Sequence, residues 1–166
     1  MIRAAKMEDM PRLLEIYASA RVFMRSYGND AQWTGVYPGE DILCQDIGAE
    51  RLFVVIREDQ IVGCFMMGAG PDPTYLKIYD GQWVSNKAYC VIHRIASDGS
   101  VKGLLAEAVA YAKNFYSYIR IDTHEKNLPM RKALAKQGFT HRGTIYIADG
   151  SARMAFDWIC PSHNES

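Results

Sequence analysis

The sequence lacks any long apolar run. No stretch of its 166 residues reaches the roughly 18–20 consecutive apolar residues that a membrane-spanning helix needs. It also lacks an excess of charge, because 19 basic residues balance 19 acidic ones. A basic field for nucleic acid and a polybasic patch for membranes are therefore both missing. We expect neither a nucleic-acid partner nor a membrane partner.

The four cysteines form no binding motif. Cys44, Cys64, Cys90 and Cys160 stand far apart, without a Cys-x-x-Cys pair or a zinc-like Cys/His spacing. The opening residues also lack the charged and apolar segments of a secretory signal. These absences predict reduced thiols, buried at Cys64 and Cys90, together with no metal site and a cytoplasmic protein.

What is present is the composition of an ordinary globular protein, for which a soluble enzyme is the default expectation. Hydrophobic residues make up 49% of the chain and charged residues 23%. A chain of this length is sufficient for one core without disulfide staples. We expect a single domain over 1–160, followed by a polar tail over 161–166.

Hydrophobic periodicity predicts the element order β-α-α-β-β-β-α-β-α-β-β. The fold class is therefore α/β, with a mixed sheet flanked by helices. The predicted strands are 2–5, 52–56, 61–67, 89–96, 119–122, 144–148 and 151–158, and the predicted helices are 7–25, 38–49, 101–116 and 127–138.

Two strand-to-helix junctions could bind ligands. At the later one, Asn127 stands where a helix N-cap is expected, with Pro129 close behind and Gly138 as the C-terminal stop. The earlier junction, 97–103, is rich in small residues, and its free N–H groups and the helix dipole would attract an anion. Asp98 could instead cap that helix itself, so the residues alone leave an anion cradle and a plain capped turn both open.

The spacing after the later junction resembles a known family. It is similar to the Asn-x-x-Ala-x-x-Leu-Tyr-x-x-x-Gly-Phe signature of the GNAT superfamily of acetyl-CoA-dependent acyltransferases, on the residues Asn127, Met130, Ala133, Leu134, Gly138 and Phe139. A second segment looks like that superfamily's acyl-CoA-binding segment. It consists of the His-Arg-Ile-Ala run from His93, the loop after it and the Leu-Leu-Ala-Glu-Ala-Val run that follows. The opening residues 2–11 look like its usual start.

The resemblance implies a fold and an activity. The sheet is expected to be mixed but mostly antiparallel. The activity is expected to be an N-acetyltransferase that moves an acetyl group from acetyl-CoA, as co-substrate, to a primary amine of a small molecule or peptide. Transfer would be direct, in a ternary complex, without a metal, and a homodimer is compatible with the family.

The resemblance also implies a cofactor site. The backbone of the strand entering the loop would hold the pantetheine arm, the loop would hold the pyrophosphate, and an asparagine would lie near the reacting end. The residues at these positions are Ile95, Ala96, Ser97, Gly99, Ser100, Lys102, Gly103 and Asn127.

The sequence departs from the family pattern at two points. Ser100 and Lys102 stand where two small residues are expected, and Leu134 replaces the tyrosine that usually acts as general acid. A water or Tyr146 could replace that acid. Two alternatives therefore stay open: a non-catalytic acyl-CoA sensor, and an interaction module that has lost the cofactor.

His93 is the main candidate for the general base, because an imidazole titrates near neutral pH. His124 and Glu125 are secondary candidates, and a structural, hydrogen-bonded role for His93 is the alternative. Loop aromatics would wall the acceptor pocket, or else seal the edge of the core. The substrate-site candidates are Tyr27, Trp33, Tyr79 and Trp83, with Tyr37 and Tyr75 beside them in sequence.

Overall fold

The computed structural model describes residues 1–161, so most of the predicted polar tail lies outside the described residues. One seven-stranded sheet has the order β1-β2-β3-β4-β5-β7-β6, and only the β4–β5 pair is parallel. The strands are β1 Ile2–Ala4, β2 Leu52–Arg57, β3 Gln60–Ala69, β4 Cys90–Ser97, β5 Tyr118–Thr123, β6 Thr140–Tyr146 and β7 Ala152–Ile159.

Four α-helices cover the sheet: α1 Met10–Ser26, α2 Glu40–Gly48, α3 Leu104–Lys113 and α4 Leu128–Lys136. Short 3₁₀ turns occupy Met7–Asp9 and Pro73–Tyr75. The predicted element order and the mixed, mostly antiparallel fold are confirmed. Helices α1 and α2 pack against one face of the sheet, and α3 and α4 pack against the other. Among residues 1–161, no helix is long and apolar enough to cross a membrane.

Several predicted boundaries were wrong. Helix α3 begins at Leu104 rather than at 101, because Gly103 adopts a left-handed φ of +77° as its N-cap. Strand β6 begins at Thr140 rather than at 144, and its register with β7 shifts between His141 and Gly143. The last hairpin closes through a bond from the Ile147 N–H to the Ser151 carbonyl, so its turn is wider than two residues.

Strand β4 carries a bulge at Arg94. Its register with β3 shifts between Cys64 and Met66, and Arg94 has a φ of +50°, which costs a non-glycine residue about 1–3 kcal/mol. The covering helices hold this bulge in place. The Asp46 carboxylate of α2 accepts two 2.8 Å bonds from the Arg94 guanidinium, and the Tyr17 hydroxyl of α1 donates a 2.6 Å bond to the Arg94 carbonyl.

Strands β4 and β5 separate just before the bulge. They pair only at Cys90↔Ile119 and Val91↔Arg120. Beyond that point β4 stays bonded to β3 and β5 stays bonded to β7, so the facing edges of β4 and β5 have no strand between them. An open wedge therefore enters the middle of the sheet, where unpaired backbone groups are available to an extended ligand.

The ion pair that supports the bulge can be tested by Asp46→Ala. Both side chains are nearly buried, with 12% of Arg94 and 9% of Asp46 exposed, so the substitution leaves an uncompensated buried guanidinium. We expect a loss of about 3–5 kcal/mol in the free energy of unfolding, measured by urea denaturation.

The matched control is Asp41→Ala, an exposed carboxylate in the first turn of the same helix. We expect that variant to lose at most about 1 kcal/mol, from the helix dipole. Equal losses in the two variants would show that the ion pair does not hold the bulge.

Candidate active site

A cavity of about 600 Å³ opens where β4 and β5 separate, on the face covered by α1 and α2. Its lining includes His93 and Ile95 from β4, Asp122 from β5, Asn127 at the start of α4 and Arg153 from β7. The volume lies in the range of small-molecule sites. Strand divergence thus brings polar groups from four elements to one space.

His93 is held between two carboxylates. Its Nε2 lies 2.7 Å from Asp72 Oδ2, and its Nδ1 lies 3.8 Å from Asp122 Oδ2. The short contact fixes the Nε2 proton towards Asp72, which leaves Nδ1 as the ring atom free to accept a proton. The structure therefore places His93 in the cavity with a defined orientation.

Asp122 is supported from behind by Tyr75. The Tyr75 hydroxyl donates a 2.6 Å bond to Asp122 Oδ2, and its ring packs against His93 with centroids 5.7 Å apart. Burial and the negative charge of Asp122 hold the pKa of Tyr75 well above its usual value. The hydroxyl therefore stays protonated and serves as a fixed donor.

Asp72 is tied into the short turn that follows β3. Its Oδ1 accepts bonds from the backbone N–H and the hydroxyl of Thr74, at 2.9 and 2.7 Å. Burial alone would raise the pKa of this carboxyl, but the bonds from His93 and Thr74 outweigh burial and lower it to about 2. Asp72 is therefore ionised throughout the neutral range and anchors the histidine.

The lowered pKa of Asp72 predicts how the stability of the folded protein changes as the pH falls. A depressed carboxyl pKa stabilises the folded state above pH 4, and that stabilisation is lost as the pH falls towards 2. Between pH 5 and 2.5, we expect wild type to lose about 2 kcal/mol more of its unfolding free energy than Asp72→Asn loses. Parallel urea-denaturation profiles for the two proteins over this range would contradict the assignment.

Asn127 is 3% exposed and caps α4 as predicted. Its Oδ1 accepts a 3.2 Å bond from the Met130 N–H and a 3.0 Å bond from the Tyr27 hydroxyl, and its Nδ2 donates a 2.9 Å bond to Gln32 Oε1. These bonds use the amide oxygen and one of the two Nδ2 hydrogens, so Asn127 fixes the start of α4 and, as part of the lining, shapes the cavity wall. Tyr27 was predicted to line the acceptor site, but in the structure it supports Asn127.

Asp98, in the loop 97–103, does not cap helix α3. One carboxylate oxygen of Asp98 accepts the Ser100 N–H and hydroxyl, at 2.8 and 2.5 Å, and the other accepts a 2.7 Å bond from Arg12 of α1. Although burial opposes it, these bonds lower the pKa of Asp98. The aspartate folds back on its own loop, and the residue at the N-cap of α3 is Gly103.

This arrangement leaves a run of free backbone donors. Within the described residues, the N–H groups of residues 101–106 donate to no protein acceptor, and they precede or begin α3. Lys102 is exposed beside them. Ser97 and Gly99 shape the turn, since the Gly99 N–H donates to Ser97 Oγ at 3.0 Å. The anion cradle stays a prediction, and the free N–H groups available to it are those of 101–106, slightly later in the chain than the small residues suggested.

The remaining cofactor candidates lie along β4. Ile95 lines the cavity, whereas Ala96 is 5% exposed and pairs with Cys64 of β3. Ser97 pairs with Gly63 at the end of the strand.

The predicted aromatic wall is only partly present. Trp33 lines the cavity, as does Tyr37. Tyr79 and Trp83 were predicted as substrate contacts, but both lie outside the lining. Tyr79 is bridged to β6 and packs on Tyr146, and Trp83 packs on Tyr75 and Arg120. Trp83 covers the edge of the core, as loop aromatics commonly do, whereas Tyr79 is 47% exposed on the surface.

The alternative acid and base candidates also lie outside the cavity lining. Leu134, which stands where the family usually has its acid tyrosine, is fully buried in the core beneath α4. Tyr146 is 47% exposed on β6. His124 uses Nδ1 to accept the Lys126 N–H at 3.1 Å, and Glu125 beside it is exposed. Among residues 1–161, no cluster of three or more His, Cys, Asp or Glu side chains is arranged to hold a metal.

Solved structures share this fold over nearly the whole chain. A GNAT-family acetyltransferase from Streptococcus agalactiae is 27% identical, with a TM-score of 0.89 over 98% of this chain and 96% of that one. The chain belongs to the GNAT superfamily. The resemblance seen in the sequence is confirmed by this structural similarity.

More distant structures share the fold alone with this GNAT protein. A GNAT-family acetyltransferase from Listeria monocytogenes is 16% identical, with a TM-score of 0.70 over 96% of this chain and 94% of that one. The yncA protein of Salmonella typhimurium, determined with its cofactor acetyl-CoA, is 13% identical, with a TM-score of 0.63 over 100% of this chain and 96% of that one. No family model and no curated protein matches the sequence.

Three polar residues of the cavity were not among the sequence predictions: Asp72, Asp122 and Arg153. Asp72 lies between two prolines, in a segment whose composition indicates only a turn. Arg153 shares one face of β7 with the buried Ala155, and a charged side chain at an inward strand position is a usable signal. Only the three-dimensional register, however, brings these residues to His93.

Proposed function

We propose that the protein transfers an acetyl group from acetyl-CoA to an amine, with both substrates bound together at the β4–β5 wedge. The observation that carries this proposal is the position of His93, which Asp72 orients in the wedge between β4 and β5. Strand β4 continues from this wedge towards the free N–H groups of 101–106. The GNAT fold of the neighbouring structures supports the same activity.

The described residues fit an acyl-CoA. The wedge offers unpaired backbone groups on β4 to an extended amide-containing arm, and the N–H groups of 101–106 suit a pyrophosphate. Lys102 adds a positive charge beside them. When bound, acetyl-CoA supplies an activated thioester carbon.

His93 acts on the acceptor amine. An amine arrives mainly as its ammonium form, which the Asp122 carboxylate attracts. His93 Nδ1, 3.8 Å from that carboxylate, then accepts a proton and leaves the neutral amine as nucleophile. The amine nitrogen bonds to the thioester carbon, the C–S bond breaks and CoA leaves as its thiolate. The ammonium nitrogen gives up two protons in all: one protonates the thiolate, by way of water, and the other passes from His93 to solvent. Asp72 keeps the other ring nitrogen protonated and stabilises the imidazolium that forms, so Asp72 is a positioning residue.

The cofactor site can be tested by Gly103→Asp. Gly103 and Gly150 both have left-handed φ angles, +77° and +85°, and both have open space around the added Cβ, so aspartate strains the two positions alike. Only Gly103 adjoins the free N–H groups. By calorimetry with CoA, we expect at least about tenfold weaker binding in Gly103→Asp, because charge-assisted hydrogen bonds are lost.

Binding by Gly150→Asp should match that of wild type. Equal CoA affinity in all three proteins would exclude this loop as the cofactor site.

The base can be tested by His93→Gln. We expect kcat to fall roughly 100- to 10,000-fold, measured as thiol release from acetyl-CoA with a reactive amine. The matched control is His141→Gln, since His141 lies on β6, outside the cavity lining, and contacts the Gly143 carbonyl. A His93→Gln enzyme with unchanged kcat and an unchanged pH–rate profile would remove His93 as the base.

One observation favours a second function, a non-catalytic acyl-CoA sensor. Leu134, fully buried, occupies the position of the tyrosine that usually acts as general acid in the family. Within the described cavity lining, Tyr37 is the only tyrosine that could replace that acid. Saturable CoA binding without thiol release across a broad panel of amines would support the sensor.

A further inference from the structure

Arg153 is a buried cation that forms no ion pair with any of the described residues. It is 4% exposed and lines the same cavity as His93. Within the described residues, no carboxylate oxygen lies within 4 Å of its guanidinium. Nη1 donates to Ser151 Oγ at 3.1 Å and to the Ala152 carbonyl at 2.9 Å, and Nη2 donates a long 3.3 Å bond to the Gln32 carbonyl. Nε has no partner among the described residues.

The other buried arginines of the protein are compensated. Arg94 has a two-bond ion pair with Asp46. Arg120, 5% exposed, lies over the rings of Trp83 and Tyr89 at 4.3 and 4.0 Å. Arg153 has neither arrangement. Burying an unpaired guanidinium is costly, so this one is expected to meet an anion that enters the cavity.

The electrostatics agree with an unmet positive charge. Burial lowers the pKa of Arg153, and the more distant charges of Asp122 and Asp149 offset that effect only in part. The charge of Arg153, after burial, also lowers the pKa of the neighbouring His124. A negative group bound at Arg153 would raise the pKa of Arg153 and weaken the effect of its charge on the pKa of His124.

Sheet register fixes where Arg153 lies relative to the reacting groups. Asp122 of β5 pairs with Ala155 of β7, and Arg153 is two residues further along β7, on the same face. Such diagonal neighbours lie roughly 7–8 Å apart. Asp122 is in turn 3.8 Å from His93 Nδ1. The cavity therefore has a negative end, which suits an ammonium group, beside a positive end.

We propose that Arg153 binds a carboxylate of the acceptor, which makes the acceptor a free amino acid or a similar small amine with a nearby carboxylate. The proposal rests on the proposed acetyl transfer. The ammonium group lies at Asp122 and His93, and the carboxylate contacts the Nε and Nη2 edge of Arg153. The remaining side chain meets an apolar wall that includes Met24, Trp33 and Met66. The N-terminus of a polypeptide has a neutral peptide carbonyl in place of that carboxylate and binds less well.

The experiment compares three matched sets of compounds: free L-amino acids, their carboxamides, and the amines that lack the carboxylate. Thiol release from acetyl-CoA is measured with each set. For wild type we expect kcat/KM to be at least 10-fold higher for the acids, because two charge-assisted hydrogen bonds are made only with them. Carboxamides have the lower amine pKa and more neutral amine at pH 7, so protonation cannot explain their slower reaction.

The variants locate this preference at Arg153. In Arg153→Gln we expect kcat/KM for the acids to fall roughly 10- to 100-fold, while kcat/KM for the carboxamides and simple amines stays within about threefold of wild type. Arg153→Lys keeps the charge but not the planar fork, so it should be intermediate. The control Lys132→Gln removes an exposed charge from α4, on the other face of the sheet, and should behave as wild type.

A binding measurement separates the two hypotheses. Calorimetry with the CoA-bound protein should show binding of the acids to wild type and not to Arg153→Gln, whether or not transfer occurs. Turnover or binding of amines without a preference for the carboxylate would overturn the role of Arg153 and leave the proposed function standing. If the protein neither binds CoA nor releases thiol from acetyl-CoA, the proposed function is overturned. If, in addition, the free amino acids do not bind to the protein without CoA, the role of Arg153 is overturned as well.

Discussion

The separation of β4 from β5 after two paired residues is the constraint on which the rest of the site depends. A parallel pair that continued would have closed the sheet and left no space for a ligand. The bulge at Arg94 redirects β4 at this point, and α1 and α2 hold it through Tyr17 and Asp46. The covering helices therefore stabilise a strained strand whose irregular path creates the cavity.

The cavity places unlike charges where they act on one another. Asp72 and Asp122 flank His93, and Tyr75 holds Asp122 from the core side. Arg153 lies on the same face of the sheet, diagonally across from Asp122. Because these side chains are largely buried, each of these interactions is stronger than on an open surface. The burial of Arg153 is also why its lack of a carboxylate partner among the described residues points to a bound anion.

Much of the fold could be predicted from the sequence, because periodicity and caps are local properties. The element order and the cap at Asn127 were obtained this way, whereas the family came from the resemblance of the spacing after Asn127 to a known signature. The boundaries failed where one backbone conformation decided the outcome, as with the left-handed Gly103 that delays α3. Apolar and polar spacing does not reveal such a conformation.

The site was less predictable, because its geometry comes from distant parts of the chain. His93 and Asn127 stand at informative positions next to recognisable elements. Asp72 reaches His93 only through the turn after β3, and Arg153 reaches the cavity only through the register of β7 with β5. Tyr79 and Trp83 lie outside the cavity lining, and the sequence could not indicate this because an aromatic in a loop has the same signature whether or not it lines a pocket.

Residue-resolved amide hydrogen exchange, with and without CoA, shows directly whether the acyl carrier binds in the wedge between β4 and β5. We expect bound CoA to slow exchange at 101–106 and along the free edge of β4 beyond Val91, and to leave exchange in the β6–β7 hairpin unchanged. Slowed exchange elsewhere, with these two segments unaffected, would show that the wedge between β4 and β5 is not where the acyl carrier binds.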